Sequence, residues 1–100
     1  NLFPVVDSDN NLLGVISLES IRELLFELEN YKEIPAVDLM SQAEATVELN
    51  EEMSSVMKKF DETGAWNLPV VNNRKYVGFV SKSSIFTKYR DSIIKSTVER

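Results

Sequence analysis

The stretch LFPVVD at residues 2–7 decides the fold, because a near copy of it, NLPVVN, returns at residues 67–72. A polar turn follows each copy, and the two turns differ in length by about one residue. Each turn leads to a second apolar segment, LGVIS at residues 13–17 and VGFVS at residues 77–81. A helical pattern then opens on Ile21 in the first copy and on Ile85 in the second. Self-similarity of this kind indicates one supersecondary unit that is used twice.

The duplication predicts a pair of β-hairpins, each followed by a helix. Two matching units usually pack about a pseudo-twofold axis, which leaves a cleft between their equivalent edges. Such a cleft suits a ligand or a partner better than it suits bond-making chemistry.

Composition excludes several classes of function. The chain has 100 residues and contains neither cysteine nor histidine. Disulfides, thiolate nucleophiles, histidine acid–base catalysis and thiolate or imidazole zinc sites are therefore excluded. No nucleophile with an orienting base is present, and the polar run at residues 7–11 lacks the glycine and glutamate of a calcium loop. We expect no catalytic residue, no metal site and no enzymatic activity.

Charge is unevenly distributed along the chain. The net charge is −5, with ten acidic and two basic residues in 1–50 but six acidic and nine basic residues in 51–100. Solvated helix faces account for most such patterns. The basic residues are scattered and no aromatic-studded basic stripe is present, so we expect no nucleic-acid partner. No run of about 18 apolar residues exists, so we expect no direct membrane insertion by this segment.

The order of elements predicts an incomplete first repeat. The second repeat reads as a strand at residues 45–47, a helix capped by Asn50 and ended by Gly64, a hairpin and a last helix. The first repeat begins at its hairpin and lacks the preceding strand and helix. We therefore divide the chain into residues 1–34, the first hairpin with its helix, and residues 35–100, the second repeat. The predicted apolar helix faces are Ile21/Leu24/Leu25/Leu28/Tyr31, Met53/Val56/Met57/Phe60 and Ile85/Phe86/Tyr89/Ile93.

These features resemble a known family. The Pro-Val-Val hairpins, the Gly-φ-φ-Ser exit from each second strand (φ, apolar), and VDLM at residues 37–40 are similar to a tandem pair of cystathionine-β-synthase (CBS) domains, the Bateman module. Residues 64–71 (GAWNLPVV) and 78–83 (GFVSKS) are most similar to the C-terminal cytoplasmic region of prokaryotic CLC-family chloride channels and transporters.

The resemblance implies an α/β fold with two βαββα-type repeats about a pseudo-twofold axis. It implies a regulatory and dimerisation module on the cytoplasmic side of the cell membrane. Its partners would be a second copy and the membrane-embedded CLC portion of the same polypeptide, which would carry chloride. The alternative is an adenosine-nucleotide-sensing CBS module attached to an enzyme or a cation transporter.

The same resemblance marks candidate binding residues. Nucleotide-binding relatives commonly read Gly-φ-φ-Ser/Thr-x-x-Asp, in which the carboxylate accepts hydrogen bonds from both ribose hydroxyls. Here Ser17 and Ser81 keep the hydroxyl position, but Ser20 and Ser84 replace the aspartate. Losing a charge-assisted bond weakens binding by about 1.5–3 kcal/mol. We therefore expect no tightly bound cofactor, and we expect Ser84→Asp to tighten any binding of an adenosine nucleotide.

Trp66 and Asn67 complete the candidate cleft residues. Trp66 is either an adenine-stacking platform or a lid over the Met53/Met57/Phe60 helix face, and the lid is the preferred interpretation. Lys82 either meets a phosphate or lies solvated at a helix start. Gly14 and Gly78, within apolar strands, are expected to permit close backbone approach.

Overall fold

The computed structural model describes residues 2–27, 35–88 and 90, and all of their side chains except those of residues 24–27. In chain order the elements are β1 (Leu2–Val6), β2 (Leu12–Ser17), α1 (Leu18–Glu27), α2 (Ala36–Leu39), β3 (Val47–Glu48), α3 (Met53–Thr63), β4 (Asn67–Asn72) and β5 (Lys75–Ser81). Residues 82–88 form a further helix, α4. The second repeat is thus βαββα, as predicted.

Both predicted hairpins are confirmed, and they share an irregularity. β1 pairs antiparallel with β2, and β4 pairs antiparallel with β5. In each pair the register skips one residue of the second strand directly before its glycine, Leu13 before Gly14 and Val77 before Gly78. Both skipped residues are exposed. A bulge at equivalent positions shows that the repeat extends to backbone geometry.

β3 adds a parallel partner to the second hairpin. It pairs with β4 through Val47 opposite Val70, giving the strand order β3-β4-β5. α3 and α4 cover this sheet around a buried core. The buried members of that core are Val47, Val56, Phe60, Leu68 and Ile85.

The first hairpin has less cover than the second. In the aligned copies Phe3 corresponds to Leu68, yet Phe3 is 47% exposed and Leu68 only 1%. α3 packs on the second hairpin at Leu68, and the described residues include no equivalent helix over the first hairpin. The exposure of Phe3 follows from this difference in cover.

The turns of the two hairpins meet each other. The backbone N–H of Leu12 donates to the Arg74 carbonyl at 2.9 Å, and the N–H of Tyr76 donates to the Asn10 carbonyl at 2.9 Å. Asn10 also has a positive φ of 66°, which asparagine tolerates better than most residues. The Asp7 carboxylate organises the same turn. Its pKa is lowered chiefly because it accepts the backbone N–H of Asn11.

The two ends of α3 follow different rules. Gly64 ends the helix in the left-handed conformation, φ 69°, and its N–H donates to the Phe60 carbonyl, as predicted. The predicted Asn50 cap is wrong, because the helix begins at Met53 after Glu52 and no side chain caps it. Glu51 lies just before the helix and accepts hydrogen bonds from the Glu48 N–H, Ser55 Oγ and Lys59 Nζ. The Glu51 carboxylate thus organises this helix start by joining the Glu48 backbone to the side chains of Ser55 and Lys59.

Several predicted boundaries and faces need correction. The strand expected at residues 45–47 is Val47–Glu48. Phe86, expected on the buried side of the last helix with Ile85, is 42% exposed. The α3 face is confirmed, since Val56 and Phe60 are buried and Met53 and Met57 pack against them. Outside the described residues or side chains lie the predicted face members Leu24, Leu25, Leu28, Tyr31, Tyr89 and Ile93 and the division after residue 34, which stays a prediction.

The two strand glycines differ. A Cβ on Gly14 would lie 2.7 Å from the Ser41 carbonyl oxygen and 2.8 Å from Met40 Sδ, so the close approach expected there is confirmed. A Cβ on Gly78 would meet nothing within 4 Å, so the same expectation is wrong for Gly78. Gly14 is crowded because the segment entering the second repeat crosses β2.

We predict that Gly14→Ala lowers the free energy of unfolding by about 1–3 kcal/mol, because backbone must move to admit the methyl group. Gly78→Ala is the matched control. It adds the same group at the equivalent position and should change stability by less than about 0.5 kcal/mol. Urea unfolding of both variants measures this, and equal losses would contradict it.

A second prediction concerns pH. Burial raises the pKa of the Glu51 carboxyl, but the hydrogen bonds from Lys59, Ser55 and the Glu48 N–H outweigh burial, so the net pKa is lowered. A lowered folded pKa stabilises the protein above the unfolded value of about 4.3, and that stability disappears as the pH falls through the folded pKa. Glu51→Gln should therefore lower stability by about 1–2 kcal/mol at pH 7 and by less at pH 3.

The control for this prediction is Glu62→Gln. Glu62 pairs with Lys58 at 3.8 Å on the exposed face of α3, where both side chains are more than half exposed. Surface pairs of this kind contribute about 0–1 kcal/mol. Urea unfolding of the parent and both variants at pH 7 and pH 3 measures the loss of stability that each substitution causes at each pH. A Glu51→Gln loss that is as large at pH 3 as at pH 7 would refute the assigned role of this carboxylate.

Candidate functional site

A cavity of about 510 Å³ lies between the first hairpin with its helix and the second repeat. We call it the Trp66 cavity. The first hairpin and α1 contribute Leu2, Val15 and Glu19, and the second repeat contributes residues 41–44 and 65–69. Each repeat therefore supplies one wall, as the predicted cleft between equivalent edges requires.

Trp66 stands at this cavity and is 73% exposed. The preferred sequence interpretation, a lid over the Met53/Met57/Phe60 face, is therefore wrong. Gly64 ends α3 and turns the chain outward, so the indole leaves the core and only Ala65 of this segment packs against it. An exposed indole at the rim of a cavity has the geometry of a stacking platform.

Lys82 holds the indole from outside the cavity. Its ammonium lies 5.3 Å from the Trp66 ring centroid and 5.7 Å from that of Phe86. The Lys82 backbone N–H also donates to the Trp66 carbonyl at 2.8 Å. The cation–π contacts and this backbone bond fix the ring at the cavity rim. Lys82 is thus neither simply solvated nor among the lining residues.

The opposite wall is held by backbone pairing. Val15 and Ser41 exchange two hydrogen bonds, each 2.9 Å, between β2 and the segment that follows α2. This pairing places Ser41, Gln42, Ala43 and Glu44 along the cavity. The close approach at Gly14 makes it sterically possible.

The four candidate serines form two matching helix caps. Ser17 Oγ accepts the Ser20 N–H at 3.1 Å, and Ser81 Oγ accepts the Ser84 N–H at 3.2 Å. Within each pair the first hydroxyl donates to the second at 2.8 Å. These bonds confirm the capping interpretation of Ser17 and Ser81.

The structure brings only some of the candidates together. Trp66 and Asn67 line the cavity, but none of the four serines does. Ser84 lies instead in a shallow depression beside Ser83, Thr87 and Lys88. Ser20 follows Glu19, which lines the cavity. The second motif adjoins the same region through Ser81, which pairs with Asn67, and through Lys82, whose N–H donates to the Trp66 carbonyl. Ser84 itself is not a lining residue. A carboxylate restored at residue 84 would therefore not face the Trp66 cavity.

Two acidic residues that line the cavity, Glu19 and Glu44, are not among the binding residues predicted from the sequence. Glu19 is an acidic residue in the first turn of α1. Its place within the Ser-Leu-Glu-Ser motif was the available signal. Glu44 carries no sequence signal, because it enters the site through the pairing of Ser41 with Val15.

Other classes of site receive no support from the described residues. Within residues 2–27, 35–88 and 90, no group of three or more acidic side chains has an arrangement that would hold a metal ion. The helices in this part of the chain include none that is both long and apolar enough to cross a membrane.

Comparison with known proteins identifies the fold. The CBS domain family model matches residues 1–27 and 36–91. No curated protein matches the chain. Among solved structures, OpuCA of Staphylococcus aureus is similar, with a TM-score of 0.71 and 25% identity over 91% of this chain and 74% of that chain.

Two further structures are similar in fold. The CBS domain pair of protein MJ0100, in complex with 5′-methylthioadenosine and S-adenosyl-L-methionine, has a TM-score of 0.69 and 24% identity over 92% of this chain and 72% of that one. The soluble part of a magnesium transporter has a TM-score of 0.70 and 23% identity, over 91% of this chain but only 34% of that one.

Proposed function

Because the chain belongs to the CBS domain family, we propose that it is a regulatory module whose Trp66 cavity receives an adenosine-containing ligand. The observation that carries this proposal is the exposed indole of Trp66 at the rim of a cavity of about 510 Å³. A purine stacks on an indole, and aromatic stacking contributes about 1–3 kcal/mol per base. The adenosine ligands of the similar MJ0100 pair support the choice of ligand class.

Affinity should be modest. The position that would supply a ribose-binding aspartate beside this cavity is Ser20, and its hydroxyl is already engaged by Ser17. A neutral, shorter side chain loses about 1.5–3 kcal/mol relative to a charge-assisted bond, or roughly ten- to a hundredfold in affinity. A dissociation constant for AMP above about 10 μM is the expected result.

Calorimetry with AMP tests this proposal. Ser20→Asp should tighten binding at least about tenfold, because it restores the carboxylate next to the cavity wall. Ser84→Asp is the matched control, since Ser84 makes the same cap hydrogen bonds but its chain neighbours, Ser83 and Ile85, do not line the cavity. Trp66→Ala should weaken binding about tenfold or more. A parent dissociation constant below about 10 μM, or equal gains from the two aspartate variants, would contradict this assignment.

We infer further that the module regulates a membrane transporter of CLC type and lies on the cytoplasmic side of the membrane. The resemblance of residues 64–71 and 78–83 to CLC cytoplasmic regions supports this. The soluble part of a magnesium transporter shares the fold, which is a precedent for attachment of such a domain to a transporter. The module would act without catalysis and without a nucleic-acid partner. Attachment to an enzyme or a cation transporter is the alternative.

Chloride flux through the complete polypeptide in liposomes separates these alternatives. If the parent is a CLC protein, chloride moves, and Trp66→Ala alters the response of the flux to added adenosine ligand while leaving transport itself intact. A soluble enzyme domain upstream of Asn1, or a flux of cations alone, would refute the CLC assignment.

We also propose that the module forms a homodimer through the poorly covered face of the first hairpin. Phe3 is 47% exposed there, and burial of apolar surface is favourable by roughly 25 cal/mol per Å². Closed twofold dimers are the commonest soluble assembly. A second copy is therefore a suitable cover for this face.

Sedimentation equilibrium across a hundredfold range of concentration should show a monomer–dimer equilibrium. Phe3→Ser should weaken association at least about tenfold, because it removes apolar area from the interface. Val37→Ser is the control, since Val37 is 51% exposed but lies on α2. A monomer at every concentration, or equal effects of the two variants, would refute this interface.

A further inference from the structure

We propose that the Trp66 cavity selects among adenosine ligands by charge, and that it prefers a neutral or positively charged compound to a nucleotide phosphate. This inference rests on the proposed function and specifies its ligand. It concerns the group at the 5′ position of the ribose, since that is where adenosine derivatives differ in charge.

The two walls of the cavity each present a carboxylate. Glu19 comes from the first turn of α1, and Glu44 comes from the segment that precedes β3. The ion pairs in the described part of the chain are Lys58–Glu62 and Lys59–Glu51, so neither lining carboxylate is neutralised by one. A bound anion would therefore lie between two negative charges that belong to different repeats.

The described lining of the cavity supplies no positive side chain that would attract a phosphate. Among the described residues that line it, none is a lysine or an arginine. Lys82 is the basic residue attached to its rim, and its ammonium is held at the faces of Trp66 and Phe86. A phosphate would have to draw it away from both rings before pairing with it.

One backbone donor at the helix start beside the cavity is already engaged. A phosphate at the beginning of a helix usually binds free backbone N–H groups. Here the Ser20 N–H already donates to Ser17 Oγ, and the Ser17 hydroxyl donates to Ser20 Oγ. A phosphate would have to replace these two bonds before it could accept from the Ser20 N–H or the Ser17 hydroxyl. The same site remains open to a ligand that needs stacking and carboxylate acceptors.

Three probes with one adenosine scaffold test the inference. AMP is an anion, adenosine is neutral, and S-adenosylmethionine carries a sulfonium and an ammonium against one carboxylate. Calorimetry at one low ionic strength should give S-adenosylmethionine the lowest dissociation constant and AMP the highest, with at least about tenfold between them. Raising the ionic strength should narrow that ratio, because these charges are partly screened.

Variants that remove one carboxylate charge each test whether Glu19 and Glu44 cause the preference for S-adenosylmethionine over AMP. Glu19→Gln and Glu44→Gln should each narrow the ratio between S-adenosylmethionine and AMP by about three- to tenfold. Glu23→Gln is the matched control, since it removes the same charge from an exposed position on the same helix but outside the cavity. The ratio is the readout because a loss of ribose contacts weakens all three probes equally.

The outcomes separate this inference from the function on which it rests. AMP binding as tightly as S-adenosylmethionine, or tighter, overturns the charge selection while leaving the adenosine site intact. If the Lys82→Met variant then lost its AMP binding, the Lys82 ammonium would be shown to leave the two rings and pair with the phosphate, which also contradicts the charge selection. If none of the three probes binds at millimolar concentration, the proposed function itself fails, and this inference fails with it.

Discussion

The contact on which the rest of the structure depends is the reciprocal hydrogen bonding of Val15 with Ser41. It joins β2 of the first hairpin to the segment that leads into the second repeat, and Gly14 permits it because no Cβ stands in the way. Without this approach, residues 41–44 would not form a wall of the Trp66 cavity. One glycine thus sets both the packing of the repeats and the shape of the candidate site.

A second junction joins the repeats at their turns. The exchange between Leu12 and Arg74 and between Tyr76 and Asn10 continues the antiparallel geometry of one hairpin into the other. The two junctions lie on β2 at Leu12, its first residue, and at Val15, within the strand, so β2 is held at two points. A ligand bound in the cavity, as proposed, would change the relative position of the hairpins if its affinity differed between their arrangements, because the cavity walls belong to different repeats.

The duplicated hairpins were predictable from the sequence because strand pairing follows local apolar patterns and turn chemistry. The crowding at Gly14 and the open space at Gly78 were not predictable, because the two local motifs are similar and the difference lies in the chain segment that crosses the first one. Trp66 was misread for a related reason. Trp66 follows the apolar α3 face closely in the sequence, which favoured burial of its side chain. Gly64 instead redirects the backbone after α3, and the indole is exposed. Glu44 reaches the site through a long-range backbone pairing that no local pattern encodes.

The site is asymmetric although the motifs around it are duplicated. Ser17 with Ser20 and Ser81 with Ser84 make the same cap hydrogen bonds, yet only the first pair has a cavity-lining residue, Glu19, between its two serines along the chain. Ser81 adjoins the cavity differently, as the strand partner of Asn67. At the position equivalent to Glu19 the second copy carries Ser83, which removes the carboxylate from the second motif. Identical capping chemistry has therefore been kept where it stabilises a helix start, and the charged residue that differs between the copies is the one that faces the cavity. Sequence differences between equivalent positions of a repeat thus point to the site more directly than the residues that the copies share.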